Sequence, residues 1–381
     1  MRIAMVHTPL VGPSGGERQI LELAHRLAKK GHDVTVFTNA VDEEKCYPDL
    51  IRKVNVEVVK PPVNVKYLNT YLGMKKIGKV IASRADEFDL INNHNFPSEW
   101  AVYYAKKKCD LPAVWMCNEP PFWFFVPSAR KGINRLRWPF YEILDKKAVE
   151  KIDCIVVLSK MIQKLVYQIY GRGSVIVRSG IDLDKFNLDN VEFEKEDEFM
   201  VLMVGTLCEH KNQIALVKML SIMKRSFRQE YERVKVVLVG PCIPEYRDKL
   251  FALANELGVR DKIEYKGIVS DEELLKLYAA CDVFVFSAHQ SWSLVTVEAM
   301  AMGKPVVVSN KCGVSEIING VNGQVYEHEN YGELAEIIVF FMRNERLREL
   351  IGKTAREYVR ENLSWDAYAS RMEKIFENFL L

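Results

Sequence analysis

The chain has 381 residues, which is long for a single domain and enough for two domains that each bury a hydrophobic core. Hydrophobic residues make up 49% of the chain and charged residues 27%, values typical of globular proteins rather than disordered or fibrous ones. Lysine and arginine total 53 against 51 acidic residues, so the net charge is only +2 and we expect no nucleic-acid partner.

The cysteines and the N-terminal segment bear on the cellular compartment. The eight cysteines form no CxxC pair and stand at none of the short spacings of a zinc site, which fits a reducing environment. Residues 1–16 contain a short apolar run broken by His7, Pro9 and Gly12, and they match neither a signal peptide nor a spanning helix. We therefore expect a cytoplasmic protein whose first apolar run is a buried strand.

Short apolar runs rich in β-branched residues alternate with helical stretches along the first half of the chain. This alternation is typical of a parallel sheet covered by helices on both faces. The predicted strands of this half are residues 3–7, 34–38, 56–59, 90–92, 113–116 and 154–158. Between the first two strands, apolar residues recur on one face of a predicted helix that ends at Gly31.

The same alternation restarts in the second half, after an acidic stretch at residues 187–198 that has the composition of a linker. The predicted strands of this half are residues 199–205, 234–240, 263–267, 283–287 and 305–309. The last residues form an amphipathic helix with no strand after it. We predict two α/β domains, residues 1–182 with the C-terminal helix 364–381, and residues 183–363.

The loops that leave the predicted strands are the candidate binding sites, because open α/β sheets bind ligands beyond the carboxyl ends of their strands. Residues 12–17, GPSGGE, open the first helix, where glycines let the backbone approach a ligand and free N–H groups attract an anion. An ordinary glycine turn is the alternative. The spacing is neither GxGxxG nor GxxxxGK[ST], which argues against a nicotinamide-dependent oxidoreductase and against a P-loop.

Three further loops carry candidate residues. Residues 204–212, VGTLCEHKN, place Lys211 where its ammonium could reach a phosphate, unless it is a solvated surface lysine. In residues 287–309 a polar loop opens a helix, a natural diphosphate site. Glu298, about one turn inside, could hold sugar hydroxyls or pair with a neighbouring lysine. His94 follows a predicted strand and is either a ligand contact or a structural histidine.

Taken together, these segments resemble the family-4 retaining glycosyltransferases of the GT-B fold across almost the whole chain. In the first half the resemblance is carried by GGERQILELAHRLAKKGHDVTVFT at 15–38, His94, CNEPP at 117–121 and SGIDLDKF at 179–186. In the second half it is carried by VGTLCEHKN, by QSWSLVTVEAMAMGKPVV at 290–307 and by GVSEIINGVNG at 313–323. The resemblance implies two Rossmann-like, doubly wound domains that face each other across a cleft, with the C-terminal helix crossing back to the first domain.

The activity implied by the resemblance is the transfer of a hexose, mannose or glucose, from a GDP- or UDP-sugar with retention at the anomeric carbon. The implied acceptor is a glycan or a lipid-linked glycan, and no metal or other cofactor takes part. In the second domain, Lys211 would bind the donor diphosphate and stabilise charge on the departing nucleotide. Glu298 would hold the ribose, and the amides near Leu294, Val295 and Thr296 would meet the phosphates.

The resemblance also assigns roles in the first domain. Gly16 would let the loop after the first strand approach the diphosphate or the acceptor. His94 would contact the transferred sugar close to its reacting carbon. Gln290 and Thr206 complete the implied catalytic and donor-binding set, although both differ from the residues usual in the family.

The sequence departs from the family pattern at three positions. Thr206, in the donor-binding loop, stands where the family usually has an arginine, which leaves one positive charge on the diphosphate instead of two. Gln290 stands where the family has a catalytic glutamate, and its amide can hydrogen-bond a sugar but cannot act as an anion or a base. Ser293 replaces a glycine, and its side chain could crowd or contact the phosphate. A second hypothesis is therefore a noncatalytic nucleotide-sugar-binding protein that has lost turnover.

Residues 120–142 interleave aromatic and basic side chains. The aromatic residues are Phe122, Trp123, Phe124, Phe125, Trp138, Phe140 and Tyr141, and the basic residues are Arg130, Lys131, Arg135 and Arg137. Such a combination suits an anionic membrane surface. One hypothesis is that this segment docks peripherally on the inner membrane face, through Trp123 and the four basic residues, and receives the acceptor. The alternative is an internal loop and helix whose aromatic residues enter the core.

Overall fold

The computed structural model describes residues 1–61, 66–121, 134–195, 197–289 and 292–380, with the backbone alone at 66–68 and 134–137. The chain divides into two compact units. Unit 1 is Met1–Gly180 together with Trp365–Leu381, and unit 2 is Ile181–Ser364. The acidic stretch at 187–198 lies inside unit 2, after the change of unit.

Unit 1 contains a parallel sheet of seven strands among the described residues. The strands are β1 (Arg2–Val6), β2 (Asp33–Thr38), β3 (Asn55–Val58), β4 (Leu90–His94), β5 (Ala113–Met116), β6 (Cys154–Val157) and β7 (Val175–Ile176). Their order is β3-β2-β1-β4-β5-β6-β7, so the chain reverses its direction of winding between β1 and β4. The carboxyl ends of these two neighbours form the switch point at which open sheets bind ligands.

Unit 2 contains a second parallel sheet, with six strands among the described residues. The strands are β8 (Phe199–Val204), β9 (Val234–Val239), β10 (Ile263–Gly267), β11 (Val283–Phe286), β12 (Val306–Ser309) and β13 (Gln324–Tyr326). Their order is β10-β9-β8-β11-β12-β13, with the switch point between β8 and β11. Strand β8 is apolar and buried at every position, as expected for a strand covered on both faces.

The sheets are surrounded by helices that alternate with the strands along the chain, as predicted. They are α1 (Gly15–Lys29), α2 (Pro48–Ile51), α3 (Lys66–Ser83), α4 (Glu99–Ala105), α5 (Asn134–Val149), α6 (Lys160–Tyr170), α7 (Ile214–Ser226), α8 (Arg228–Arg233), α9 (Pro244–Glu256), α10 (Asp271–Ala280), α11 (Leu294–Ala301), α12 (Tyr331–Arg343), α13 (Glu345–Asn362) and α14 (Trp365–Glu377). Across the described ranges, none of these helices combines the length and the apolar character that crossing a bilayer requires. The two predicted Rossmann-like domains are confirmed.

The C-terminal helix α14 belongs to unit 1, and the prediction that it returns to the first domain is confirmed. Its apolar face is buried through Trp365, Tyr368, Ala369, Met372 and Phe376. At its polar edge, Glu373 accepts a hydrogen bond from His32 Nε2 at 2.7 Å and pairs with Lys30, while Lys30 also bonds Ser370. These contacts fix the last helix beside the end of α1.

Candidate functional site

The loop after β8 carries Lys211 along the carboxyl edge of the unit 2 sheet. The loop opens at Gly205, whose φ of +149° is open mainly to glycine, and closes at Asn212 in the left-handed region with φ +55°. A Cβ added to Gly205 would lie 3.9 Å from Cδ and Cε of Lys211, so the lysine stem passes close over the glycine. Its Nζ lies 5.1 Å from the centroid of the Phe286 ring. The ammonium is thus held above the end of β11.

Hydrogen bonds join this loop to the loop after β11. The buried Ser287 Oγ donates to the carbonyl oxygen of Asn212 at 2.7 Å, and the amide of His289 donates to the carbonyl oxygen of His210 at 2.9 Å. Strands β8 and β11 are neighbours in the sheet, so their carboxyl ends meet at one edge. The Lys211 loop and the segment that leads into α11 therefore form one connected structure.

The start of α11 is capped by Ser293. Its Oγ accepts a hydrogen bond from the amide of Thr296 at 3.2 Å and lies 2.8 Å from Thr296 Oγ1. The serine hydroxyl is therefore used as an N-cap. The Thr296 amide, one of the three predicted phosphate donors, is bonded to that cap. The amides of Leu294 and Val295 remain as first-turn donors, because the first N–H groups of a helix lack partners within it.

Glu298 lies on the second turn of α11 and is half-buried. Its Oε2 accepts a hydrogen bond from the hydroxyl of Tyr278 at 2.9 Å, which orients the carboxylate. Thr206, in the β8 loop, is also half-buried, and its carbonyl oxygen accepts from Gln213 Nε2 at 3.0 Å. The second-half candidates Lys211, Thr206, Leu294, Val295 and Glu298 all lie at or just beyond the carboxyl edge of one sheet.

In unit 1 the switch point between β1 and β4 is lined by His7, Asn95 and Gly16. His7 is buried, which lowers its pKa to about 4 and keeps the imidazole neutral. Its Nδ1 donates to the carbonyl oxygen of Thr8 at 2.9 Å, so its Nε2 is the acceptor for Asn95 Nδ2 at 3.2 Å. A Cβ on Gly16 would collide with that Asn95 amide, so the glycine lets α1 begin directly against this pair.

His94 is the last residue of β4 and not, as predicted, a residue just past the strand. The side chain is wholly buried, and burial, with His7 nearby, lowers the pKa of His94 well below its ordinary value. Its Nε2 donates to Oδ1 of Asn92 at 2.9 Å. Its Nδ1 is a buried acceptor without a partner among the described residues. His94 therefore offers one lone pair and no positive charge, and its contact with a sugar stays a prediction.

Some predicted site residues lie outside the described parts of the structure. Gln290, Trp123, Arg130 and Lys131 fall in the undescribed segments 122–133 and 290–291, and Arg135 and Arg137 lie on α5 where only the backbone is described. Within the described ranges, no group of three His, Cys, Asp or Glu side chains is arranged to hold a metal ion.

Three residues that organise these sites were not predicted from the sequence. Tyr278 stands 20 positions before its partner Glu298, Ser287 bonds a loop 75 positions away, and Asn95 meets His7 across 88 positions. Such long-range contacts leave no local spacing in the sequence. The signal in the sequence was weaker, because Ser287 ends the predicted strand 283–287 and Asn95 stands three residues after the predicted strand 90–92.

The fold of the two sheets is that of the GT-B glycosyltransferases. HepE of Anabaena in complex with UDP superposes with a TM-score of 0.77 at 19% identity, over 99% of this chain and 100% of that chain. The complex of HepE with UDP-glucose gives a TM-score of 0.73 at 20% identity, with the same coverage.

Two family models divide the chain between them. The model described as "Glycosyltransferase Family 4" matches residues 13–185, and that described as "Glycosyl transferases group 1" matches residues 184–358. The chain belongs to the family-4 glycosyltransferases. Among its relatives, an uncharacterized glycosyltransferase of Methanocaldococcus jannaschii is 28% identical over 93% of this chain and 92% of the relative. A D-inositol 3-phosphate glycosyltransferase of Thermomonospora curvata is 25% identical over 97% and 93%.

Unit 1 also buries a pair of carboxyl groups, on α4 and α5. Burial raises the pKa of Glu99 well above its ordinary value, and the neighbouring Asp145 raises it further. Burial likewise raises the pKa of Asp145 to about 6, although the Tyr170 hydroxyl donates to its Oδ2 at 2.7 Å. Both groups therefore bind a proton more tightly in the folded than in the unfolded chain.

This pair predicts how a Glu99→Gln variant will respond to pH. A carboxyl group whose pKa is raised by folding adds to the free energy of unfolding. This contribution is complete below the pKa of the group in the unfolded chain, about 4, and is lost as the pH rises through its pKa in the folded chain. The buried histidines His7 and His94 act in the opposite direction and are present in both proteins, so the difference between variant and parent reports on the Glu99–Asp145 pair. From pH 5 upward, we expect the variant to gain on the parent by about 1.4 kcal/mol of unfolding free energy per pH unit.

The free energy of unfolding is measured by urea unfolding between pH 5 and 7.5. Hydrogen exchange of peptides from α4 and α5 is measured over the same pH range. Glu142→Gln is the matched control, because Glu142 lies on α5, the helix of Asp145, but is paired with Lys146 near the surface. A constant difference between Glu99→Gln and the parent across this range would contradict the assignment.

Proposed function

We propose that the protein is a retaining hexosyltransferase, metal-independent, that moves mannose or glucose from a GDP- or UDP-sugar to a glycan or lipid-linked glycan. The observation that carries the proposal is that hydrogen bonds join the Lys211 loop to the segment that leads into α11, at one edge of the unit 2 sheet. The complex of HepE with UDP-glucose supports a nucleotide sugar as the donor. Retention and the choice of hexose follow from the family resemblance.

The chemical step requires that negative charge on the departing diphosphate be stabilised. The bond from the anomeric carbon to the phosphate oxygen breaks, a bond to the acceptor oxygen forms on the same face, and the acceptor proton passes to the departing phosphate. Lys211 supplies a full positive charge, and the N-terminus of α11 adds about half a charge with its first-turn amides. These groups take the place of a metal ion in the proposed mechanism.

The test is nucleotide release by the purified protein from a panel of UDP-, GDP-, ADP- and TDP-sugars, with a crude membrane extract as the source of acceptor. Release from one donor would establish a transferase and name that donor. If no donor releases nucleotide while UDP or GDP still raises the melting temperature, the protein is the noncatalytic binder. In the active case, Gln290→Glu is expected to leave release unchanged or to raise it.

We further propose that unit 1 contacts an anionic membrane surface through one face of the helices α3, α4 and α5. This face is defined by Tyr71, Lys75, Tyr104, Phe140 and Ile143. Phe140 and Ile143 are 55% and 56% exposed and stand three positions apart on α5, so they share one helix face. The Phe140 ring lies 6.0 Å from that of Tyr71, and the Lys75 ammonium lies 5.4 Å from the ring of Tyr104. An exposed phenylalanine and an exposed isoleucine near a lysine ammonium suit an acidic lipid headgroup layer.

The internal-core alternative is supported by other residues of the same segment. Trp138 and Tyr141 pack against the hydrophobic core of unit 1, and Tyr141 stacks on Trp100 with ring centroids 5.4 Å apart. In the described part of residues 120–142, Trp138 and Tyr141 thus face the core and Phe140 faces the solvent. Only the exposed side enters the proposal.

Vesicle flotation tests the proposed contact. We expect the parent to float with vesicles that contain phosphatidylglycerol but not with pure phosphatidylcholine. The double variant Phe140→Ser, Ile143→Ser should bind at least about tenfold less, because each buried apolar side chain contributes about 1.5–3 kcal/mol.

The control is Phe340→Ser, which removes an exposed phenylalanine of unit 2 and should not change flotation. A variant with serine at all four predicted basic positions, Arg130, Lys131, Arg135 and Arg137, should lose the dependence on anionic lipid. Absence of flotation in the parent, or equal flotation in the Phe140 and control variants, would rule the contact out.

A further inference from the structure

Tyr278 of α10 is a wholly buried tyrosine beside the candidate donor site of unit 2. Its ring packs edge-on against Phe186, with centroids 6.2 Å apart, and at a tilt against Phe284 of β11, with centroids 5.9 Å apart. With an aromatic partner on two sides, the ring has little room to change its rotamer. The position of its hydroxyl is therefore set by the core of unit 2.

That hydroxyl is directed at the carboxylate of Glu298. It lies 2.9 Å from Glu298 Oε2 and 3.3 Å from the carbonyl oxygen of Val295. Burial raises the pKa of Tyr278 well above its ordinary value, and the Glu298 charge raises it further, so the phenol keeps its proton and remains a donor. The carbonyl alone would satisfy the buried hydroxyl, yet the shorter of the two contacts is to the carboxylate.

We propose that Tyr278 is a positioning residue that holds the Glu298 carboxylate in the orientation needed to accept hydrogen bonds from the ribose hydroxyls of a nucleoside diphosphate. The inference rests on the proposed function, in which Glu298 is the ribose ligand. A long side chain such as glutamate loses much rotamer freedom when it binds. A fixed partner in the protein core removes that freedom before the nucleotide arrives, which strengthens the contact.

The distinguishing property is selectivity for the ribose hydroxyls. We would titrate UDP and GDP into the parent by calorimetry, keep the tighter binder, and compare it with its 2′-deoxy and 3′-deoxy analogues. Tyr278→Phe retains the ring and removes only the hydroxyl. We expect the preference for the ribonucleotide over the affected deoxy analogue to fall about three- to tenfold in this variant, the effect of one hydrogen bond.

The matched control is Tyr170→Phe, which removes a tyrosine hydroxyl bonded to a carboxyl group in unit 1. It should lower stability and leave the ribose preference unchanged. Unchanged preference in Tyr278→Phe, with folding intact by circular dichroism, would overturn the proposal.

A double variant separates this proposal from the proposed function. Glu298→Gln should itself reduce the ribose preference, and adding Tyr278→Phe to it should reduce the preference no further, because the tyrosine acts through the glutamate. Additive losses would show that Tyr278 acts by another route and would overturn the inference alone. If neither UDP nor GDP binds the parent, or if Glu298→Gln keeps the full preference, the donor assignment itself fails.

Discussion

Replacing Lys211 with alanine is expected to lower the turnover of nucleotide-sugar-dependent transfer by about 10²–10³-fold, the usual effect of removing a group that stabilises transition-state charge. The sequence offers no second cation in the loop after β8 at the family's usual arginine position, because Thr206 stands there. The loop itself should persist, since Ser287 and His289 hold it through backbone carbonyl oxygens. The measurement is single-turnover nucleotide release with the donor identified from the panel.

The control for this variant is Lys276→Ala. Lys276 is exposed on α10 and pairs with Glu272 at 2.6 Å, so the variant removes the same charge from unit 2 without touching the β8 loop. Turnover should stay within about twofold of the parent, since exposed ion pairs contribute little. Lys211→Arg should retain part of the activity, because the charge remains while the shape changes. Full turnover in Lys211→Ala would show that the ammonium has no catalytic role.

The sheets were predictable because buried parallel strands read as continuous apolar runs. Every predicted run, from residues 3–7 to residues 305–309, overlaps a strand of the structure. The short strands Val175–Ile176 and Gln324–Tyr326 were missed, since two or three residues give no pattern that stands out from a loop. The apolar run of β4 was predicted to end at Asn92, which put His94 beyond the strand, yet Asn92 and Asn93 are both wholly buried within β4.

The candidate sites were predictable only as positions along the chain. The rule that ligands bind beyond strand ends directed attention to the loops of Lys211 and Gly16, and the family resemblance supplied their roles. Neither source gives side-chain direction. The Tyr278 hydroxyl on Glu298 and the Asn95 amide against Gly16 depend on tertiary contacts that no local spacing records. The cap that Ser293 provides to Thr296 is a local contact, but the sequence alone did not show that the serine hydroxyl is used for it.

Gly16→Ala is expected to lower the unfolding free energy by about 1–3 kcal/mol, the usual cost of forcing a carbon atom into a packed site. The added Cβ would occupy the space of the Asn95 amide, and that amide is fixed by its bond to His7. Gly12→Ala is the matched control in the loop that precedes α1, because a Cβ there meets no atom within 4 Å. Urea unfolding of both variants measures the difference.

A double-mutant cycle with Asn95→Gly decides whether Gly16 serves packing or ligand approach. Asn95 has φ +60°, which glycine adopts readily, so Asn95→Gly removes the obstructing side chain without backbone strain. In that background Gly16→Ala should cost less than about 0.5 kcal/mol, the limit for sites that no longer interact. An undiminished cost would show that Asn95 is not what the new Cβ meets. If stability recovers while donor turnover stays low, the glycine is needed for approach of a substrate. If turnover also matches that of Asn95→Gly alone, its role is to let α1 begin against the His7–Asn95 pair.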